Sequence, residues 1–467
     1  MTFTDAAEKL FSARHATRLK PLAQRLRHIM LASDDLAVAQ RMALVAFGIR
    51  IVSAAIAFVS QIILARIMGD FEYGVFVFVW VMAVILGNLS CLGFHTAIIR
   101  FLPQYRAEGN DEAIRGLAST ARIFAMLSAT FVGAAGIMTI YLLGDRVQEF
   151  YVTPLFMGAF ALPMIALGDV LDGTARANGW PVNALAPTYI VRPMLILGFV
   201  VAAALLLGQT DARLALMAAL VACWLTTLAQ FIVITRKLDR RYHPGRISVH
   251  FRTWSVVAFP IFLIEGFYFL LTNADVIIVG IYLPPEKVAV YYAAAKTMAL
   301  VHFVYFAVKT GAAPRFSSLV SSGSREEMAA FAGQTVRWAF WPSLAVGLAV
   351  LLAGPFLLSL FGPGFEAGHE VMIILFVGII AKAMVGPGEV LLTMAGEQKV
   401  TVFVYGAALA VNIALNIVLI PVLGIAGAAA ATALAMMTEA LLLHITVRRR
   451  LGIVLFIGAG TGSQRAE

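Results

Sequence analysis

A chain of 467 residues that is 61% apolar and only 13% charged, with a mean hydropathy of +0.88, is excluded from the soluble globular class. Soluble domains run nearer half apolar and a quarter charged. The net charge of +9 falls mostly between the apolar stretches, so it fits a headgroup-facing rim and not a nucleic-acid surface.

Residues 1–40 form a basic segment with no apolar core of the secretory kind. Leu10, Phe11, Leu19, Leu22, Leu26 and Met30 among its cations suit either a helix lying on the inner leaflet or a plain tail. Twelve apolar blocks follow, at 42–66, 73–99, 118–143, 152–173, 184–208, 213–235, 253–282, 288–312, 336–361, 370–395, 400–420 and 423–446. A helix needs roughly 20 apolar residues to cross about 30 Å of hydrocarbon. The expected fold is therefore an all-α polytopic membrane protein of about twelve transmembrane helices. Its connections are too short for a soluble catalytic domain, which argues against a membrane-embedded polymerase or glycosyltransferase. Cys91 and Cys223 lie inside blocks and read as small packing residues.

Lys and Arg segregate between alternate connections, 26 against 3, with Lys309 counted in the rich set on the basic rim and the sparse set being Arg146, Arg213 and Lys287. By the positive-inside rule both termini are expected in the cytoplasm, as an even number of crossings requires. Arg100-Phe101 recurs as Arg315-Phe316, and Gly168-Asp169-Val170-Leu171 as Gly388-Glu389-Val390-Leu391. These matches imply two six-helix lobes related by a parallel repeat, with a central cavity between them. The expected division is a cytoplasmic basic segment 1–40, an N-terminal lobe 41–236, a cytoplasmic linker 237–252, a C-terminal lobe 253–447 and a cytoplasmic tail 448–467. Pro163, Pro193, Pro260 and Gly386-Pro387-Gly388 interrupt helical blocks, the last most strongly.

Charges inside the blocks are the candidate functional groups, because an ionisable side chain in hydrocarbon needs a cavity or a partner. Arg50, Arg192, Lys296 and Lys382 are cations at staggered depths, a ladder suited to an anionic headgroup. Arg holds phosphate through a bidentate fork and Lys as a point charge. Glu265, Asp275, Glu389 and Glu439 are the buried acids that would balance charge or exchange ions. The competing reading is plain structural pairing, for example Arg50 with Glu265. Arg122 lies near enough to the basic end to snorkel out. No metal-ligand, Walker or zinc-protease motif is present, so no cofactor, nucleotide site or enzymatic activity is expected.

Three stretches carry a family resemblance. They are Gln61-Ile62-Ile63-Leu64-Ala65-Arg66-Ile67-Met68-Gly69 with Tyr73-Gly74; Asn273-Ala274-Asp275-Val276-Ile277-Ile278-Val279-Gly280 with Val290-Tyr291 and Pro314-Arg315-Phe316; and Asn412-Ile413-Ala414-Leu415-Asn416 with Pro421-Val422-Leu423-Gly424-Ile425-Ala426-Gly427. From about residue 40 to 447 the chain resembles the polysaccharide-unit (Wzx-type) flippases of the multidrug/oligosaccharidyl-lipid/polysaccharide (MOP) exporter superfamily. The resemblance implies a flippase in the bacterial inner membrane. It would move undecaprenyl-pyrophosphate-linked oligosaccharide to the outer leaflet for O-antigen, capsule or exopolysaccharide, by alternating access. The pyrophosphate would ride on Arg50, Arg192, Lys296 and Lys382. Proton or sodium coupling and other polysaccharide assembly proteins are the further partners implied. The alternatives are a multidrug/organic-cation antiporter of the same superfamily, which favours an acid where the first helix here carries Arg50, and a peptidoglycan lipid-precursor flippase, which usually has fourteen helices.

Overall fold

The computed structural model describes residues 35–208, 210–242, 245–322 and 325–458. The basic segment therefore lies outside the described residues through residue 34, as do His243, Pro244 and residues 459–467 of the tail. Among the described residues there is no strand, and ten helical stretches are long and apolar enough to cross a bilayer. Two of them are too long for one crossing, at 60 residues (Gly48–Ala107) and 54 residues (Gln398–Leu451). At 1.5 Å per residue each would run to roughly 80–90 Å. Each turns back at a glycine in a conformation closed to other residues: Gly69 (φ 78°, ψ 170°) and Gly424 (φ 59°, ψ −136°). Dividing the two gives the twelve crossings expected from hydropathy.

In chain order the helices are α1 (Asp35–Leu89), α2 (Phe94–Ala107), α3 (Asp111–Leu143), α4 (Glu149–Ala177), α5 (Pro181–Ala186), α6 (Arg192–Leu207) and α7 (Ala212–Arg241) in the first lobe. The second has α8 (Phe251–Leu271), α9 (Ala274–Tyr282), α10 (Pro285–Ser322), α11 (Arg325–Leu352), α12 (Gly354–Ser359), α13 (His369–Ala383), α14 (Gly388–Met394) and α15 (Gln398–Leu451). Several helices run past their apolar blocks at the basic end. There polar residues take over, as where α3 starts at Asp111 under an Asn110 cap whose side chain accepts from the Ala113 N–H.

Three crossings are interrupted. The second breaks between α1 and α2, where Leu92 (φ 45°) and Gly93 (φ 80°) are left-handed. The seventh breaks at Thr272–Asn273 between α8 and α9, and the tenth between Ala383 and Gly388. Only the last was evident from sequence. Pro163 and Pro260 sit inside continuous helices, while Pro193 follows a π-helical turn, Pro187–Val191, that joins α5 to α6. After α15 the chain folds back as an extended strap. The Ile457 N–H donates to the Met384 carbonyl, and Ile453 and Leu455 are buried under the broken tenth crossing.

The lobes meet along a seam at the end opposite the chain termini. Phe58 and Tyr73 of α1 pack edge-on or tilted against Phe361, Phe365 and Tyr292. The Arg66 guanidinium donates to the carbonyls of Leu360 (2.6 Å) and Ser359 (3.0 Å), beside the C-terminus of α12. Gly74 lets α1 touch α10: a Cβ there would lie 1.9 Å from the Pro285 carbonyl oxygen. Gly74→Ala is expected to force the seam apart and to lower stability by about 1–3 kcal/mol, as overpacking does. Gly198→Ala, where a Cβ meets nothing within 4 Å, is the silent control. Thermal unfolding in detergent checks both.

Candidate functional site

Below the seam, toward the end of the bundle that holds the termini, the lobes enclose a cavity of about 540 Å³. Asn88, His95 and Tyr189 line it from the first lobe; Glu265, Tyr268, Lys309, Glu389 and Tyr405 line it from the second. A smaller cavity of about 260 Å³ runs into the first lobe and shares Asn88, Tyr189 and Phe269 with the first. Its polar groups include Gln61, Asp169, Thr188 and Arg192.

The two lobes treat their cations differently. Arg192, at the start of α6, is 6% exposed, yet among the described residues its hydrogen bonds go only to the hydroxyls of Thr226 (3.4 Å) and Thr227 (3.2 Å). The π-helical turn before it shifts the helical register, and such turns recur at functional sites. Arg50 lies 4.4 Å over the Tyr189 ring, in cation–π geometry, with no ion pair among the described residues. Tyr189 lines both cavities and Arg192 the smaller one, while Arg50, stacked on the Tyr189 ring, lines neither. The nearby Asp169 carboxylate accepts from the Asn88 amide at 3.0 Å.

In the second lobe the cations are paired with acids: Lys309 lines the shared cavity, and Lys382 lies behind it and lines neither cavity. Lys382 sits 2.8 Å from Glu439, whose side chain is 1% exposed. Lys309 sits 3.2 Å from Glu389, which also accepts from the Tyr305 hydroxyl at 3.0 Å. The Tyr268 ring lies within cation–π reach of both lysines, and the Tyr305 ring of Lys382. The sequence reading put Lys309 on the basic rim; the structure puts it in the cavity, because α10 continues beyond its apolar block to Ser322.

The other predicted residues fall in different places. Lys296 stands over the Tyr292 ring at 5.0 Å, near the seam, and lines neither cavity. Asp275 is 6% exposed and accepts from the Tyr291 hydroxyl, the Val276 N–H and the Thr432 hydroxyl. Thr432 in turn accepts from Asn412, and Asn416 donates to Asn412, so this acid ties α9, α10 and α15 together. The pairing of Arg50 with Glu265 is not formed. Glu265 instead binds His95 (3.0 Å) and the Thr96 hydroxyl (2.9 and 3.1 Å), a contact sequence reasoning missed. Arg122 does not snorkel: Nη1 donates to Thr235, while Nε and Nη2 are buried without a partner among the described residues.

A twelve-crossing bundle of two lobes around a polar, charge-lined cavity is the architecture of a membrane transporter. The sequence profile of the family described as "Polysaccharide biosynthesis protein" matches residues 40–320, and the chain belongs to that family. The MatE profile matches residues 260–418. No curated protein matches the chain significantly by sequence. Among solved structures, the fold is similar to that of a multidrug resistance MATE family transporter of the MOP superfamily in an inward-facing conformation. The TM-score is 0.69 at 14% identity, over 85% of this chain and 94% of that one. The lipid II flippase MurJ in an inward closed conformation matches with TM-score 0.68 at 14% identity, covering 87% of each chain. A MOP superfamily transporter from Pyrococcus furiosus, described as having a binding pocket of reverse polarity, matches with TM-score 0.61 at 15% identity over 91% and 97%. The chain therefore has the MOP-superfamily fold.

Removing one member of a buried ion pair leaves a lone charge and costs about 3–5 kcal/mol, whereas replacing both members by apolar groups is close to neutral. Glu439→Leu alone is expected to destabilise the protein strongly. The double substitution Lys382→Met/Glu439→Leu is expected to recover most of the loss in thermal unfolding.

Proposed function

We propose that the protein is a flippase for polyprenyl-pyrophosphate-linked oligosaccharide units. It would work in the bacterial inner membrane with both termini cytoplasmic, and would serve surface polysaccharide assembly. The observation that carries this reading is Arg192: a deeply buried guanidinium whose hydrogen bonds, among the described residues, go to two threonine hydroxyls, in a cavity it shares with Tyr189, on whose ring Arg50 lies. A guanidinium with donors to spare in a polar cavity suits a bidentate phosphate. The pyrophosphate would sit in the first-lobe cavity on Arg192 and Arg50. The sugars would occupy the shared cavity against Tyr268, Lys309, Glu389 and Tyr405, where aromatic faces and a paired charge offer stacking and hydrogen bonds. The lipid chain would remain in the membrane. Rocking of the lobes would open the seam held by Arg66 and close the opposite end. Lys382 is neutralised by Glu439 in this conformation, and Lys296 lies by the seam; both would meet the substrate only after the lobes rearrange.

Membership in the polysaccharide biosynthesis family supports this substrate class over a drug. The antiporter reading is supported by the MatE profile over residues 260–418 and by Glu265 and Glu389, which also line the cavity, so its walls are not uniformly cationic. The two are separated by lipid extraction from a deletion strain and mass spectrometry. Accumulated polyprenyl pyrophosphate carrying a complete sugar unit is the expected result. An intact surface polysaccharide with no such intermediate, together with new drug sensitivity, would support the antiporter. Complementation with Arg192→Gln is expected to restore transport at about a tenth of the parent rate or less, since a hydrogen bond to a charged group is worth about 1.5–3 kcal/mol.

A further inference from the structure

At the end of the first lobe that holds the termini, α3 and α7 both pack on α4 and leave a cleft of about 350 Å³ between them. It shares no residue with the two cavities described above. Each helix gives it one stripe. On α3, Arg115, Ala118, Ser119 and Arg122 are spaced i, i+3, i+4 and i+7, so they share a face. On α7, Thr235, Leu238 and Asp239 follow the same spacing up to Tyr242, the residue after its end. The chain that joins the lobes forms the rim through Gly245 and Ile247. It is fastened to α3, where Arg115 donates to the Arg246 carbonyl at 3.0 Å and the Ser248 N–H to that of Glu112. A Cβ at Gly116 would lie 1.8 Å from the Ser248 carbonyl oxygen, so the contact is close.

Arg122 is the group in this cleft that the protein leaves incompletely bound. Its Nη1 donates to Thr235 at 3.1 Å and its guanidinium lies 5.3 Å over the Phe231 ring. Nε and Nη2 are buried with no partner among the described residues. Those two nitrogens form one edge of the guanidinium, the edge that can hold two oxygens of an anion side by side. Asp239 lines the cleft and is exposed, yet it forms no ion pair with Arg122 among the described residues. A cation taken out of water without an opposite charge is strongly unfavourable, so the arrangement calls for an anion. The cleft straddles the border of the hydrocarbon. Arg122 lies four residues inside the apolar block that starts at 118, about 6 Å past its start, and Arg115 lies before that start. Just deeper, Ile123 and Leu127 of α3 and Leu228 and Ile232 of α7 are exposed and apolar.

We propose that this cleft binds the phosphate of an anionic phospholipid from the leaflet on the side of the termini. Arg122 would turn its free edge to the phosphate, and Arg115 would add a second positive charge at the rim. Ser119, between them on the same face, would donate its hydroxyl. Two guanidinium groups against one carboxylate leave the cleft net positive, which favours an anionic headgroup over a zwitterionic one. The depth of the site and the apolar surface beneath it favour a lipid over a soluble phosphate, because the acyl chains then lie on Ile123, Leu127, Leu228 and Ile232. Once occupied, the site would tie α3 to α7 and, through Arg115, to the chain between the lobes. The proposal does not rest on the substrate of the function above.

The test is thermal unfolding of the full chain in nanodiscs of phosphatidylcholine alone and of phosphatidylcholine mixed with phosphatidylglycerol. A ligand that binds only the folded chain raises the midpoint, and the parent is expected to gain a few degrees in the mixed discs. Arg122→Gln removes the buried charge, and Ser119→Phe fills the cleft while keeping both arginines. Each is expected to lose most of that gain. Arg449→Gln, at an exposed rim position of the second lobe, is expected to keep it. In phosphatidylcholine alone, Arg122→Gln is expected to unfold at or above the parent midpoint, because there the parent carries the uncompensated charge. An Arg122 that serves packing alone would instead make the variant less stable by the same amount in both lipids, which overturns the proposal. A parent with no gain, or a gain that survives in both cleft variants, overturns it as well. Inorganic phosphate that reproduces the gain in phosphatidylcholine discs would overturn the lipid assignment in favour of a soluble anion. No transport enters this measurement, so its failure leaves the flippase reading standing, and the reverse.

Discussion

A bilayer core supplies no water to a charge, so each ionised side chain within it must find an opposite charge, a polar cavity or a ring face in the protein. The two lobes meet this constraint in different ways. The second neutralises internally, with Lys309 on Glu389 and Lys382 on Glu439 among three tyrosines. The first leaves Arg192 on two threonines and Arg50 on the face of Tyr189. Buried pairs are a poor source of stability, so packing alone gives no reason for four charges in the second lobe. A cavity that opens to water and closes again does. Paired groups can stay charged in the closed state and separate when solvent or substrate arrives.

The same constraint acts on the backbone. Interrupted helices in a membrane expose N–H and C=O groups, tolerated only where protein or a wet cavity receives them. Here the receiving groups can be named. The Tyr305 hydroxyl donates to the Gly386 carbonyl and the Ile457 N–H to that of Met384, at the broken tenth crossing. The Asn273 amide donates back to Phe269 at the seventh, and the Ser90 hydroxyl to Leu86 at the second. Tyr305 thereby serves both the freed backbone and Glu389. The C-terminal strap clamps the tenth break from beneath.

The twelve crossings were legible because hydropathy integrates over about 20 residues and tolerates local error. The two-lobe plan was legible because marks such as Arg100-Phe101 and Arg315-Phe316 recur in register. What escaped depends on contacts between distant segments. Lys309 looked like rim because its block ended at 312, yet the helix runs on for ten residues in amphipathic form. His95 sits at the edge of a block and gave no sign of a partner 170 positions later. The Leu92-Gly93 step was the only local clue to the break beside it. The supposed Arg50–Glu265 pair failed because equivalent positions in two repeats share a depth, and a shared depth does not bring two helices together. Arg122 was judged by distance to the basic end, but Phe231 and Thr235 of α7 hold it inward.

The breaks and the charges fall together, and the reason is physical. A helix interruption and an ionised side chain are each intolerable against lipid and each tolerable beside a cavity, so selection for one cavity gathers both. His95 and Glu265 flank the second-crossing break, Asp275 follows the seventh, Glu389 follows the tenth, and Arg192 follows the π-helical turn. The interruptions of the helices are thus built at the positions that carry charge. Arg192 therefore stands just past a register shift, and His95, Asp275 and Glu389 just past a break, where the cavity and the neighbouring helices can receive both the charge and the freed backbone. At the far end Arg66 donates to two carbonyls and, among the described residues, forms no ion pair, so this contact joins the lobes without burying a pair of charges. An ion pair there would have required a second charge to leave water; an exposed guanidinium on carbonyls joins the lobes without that cost.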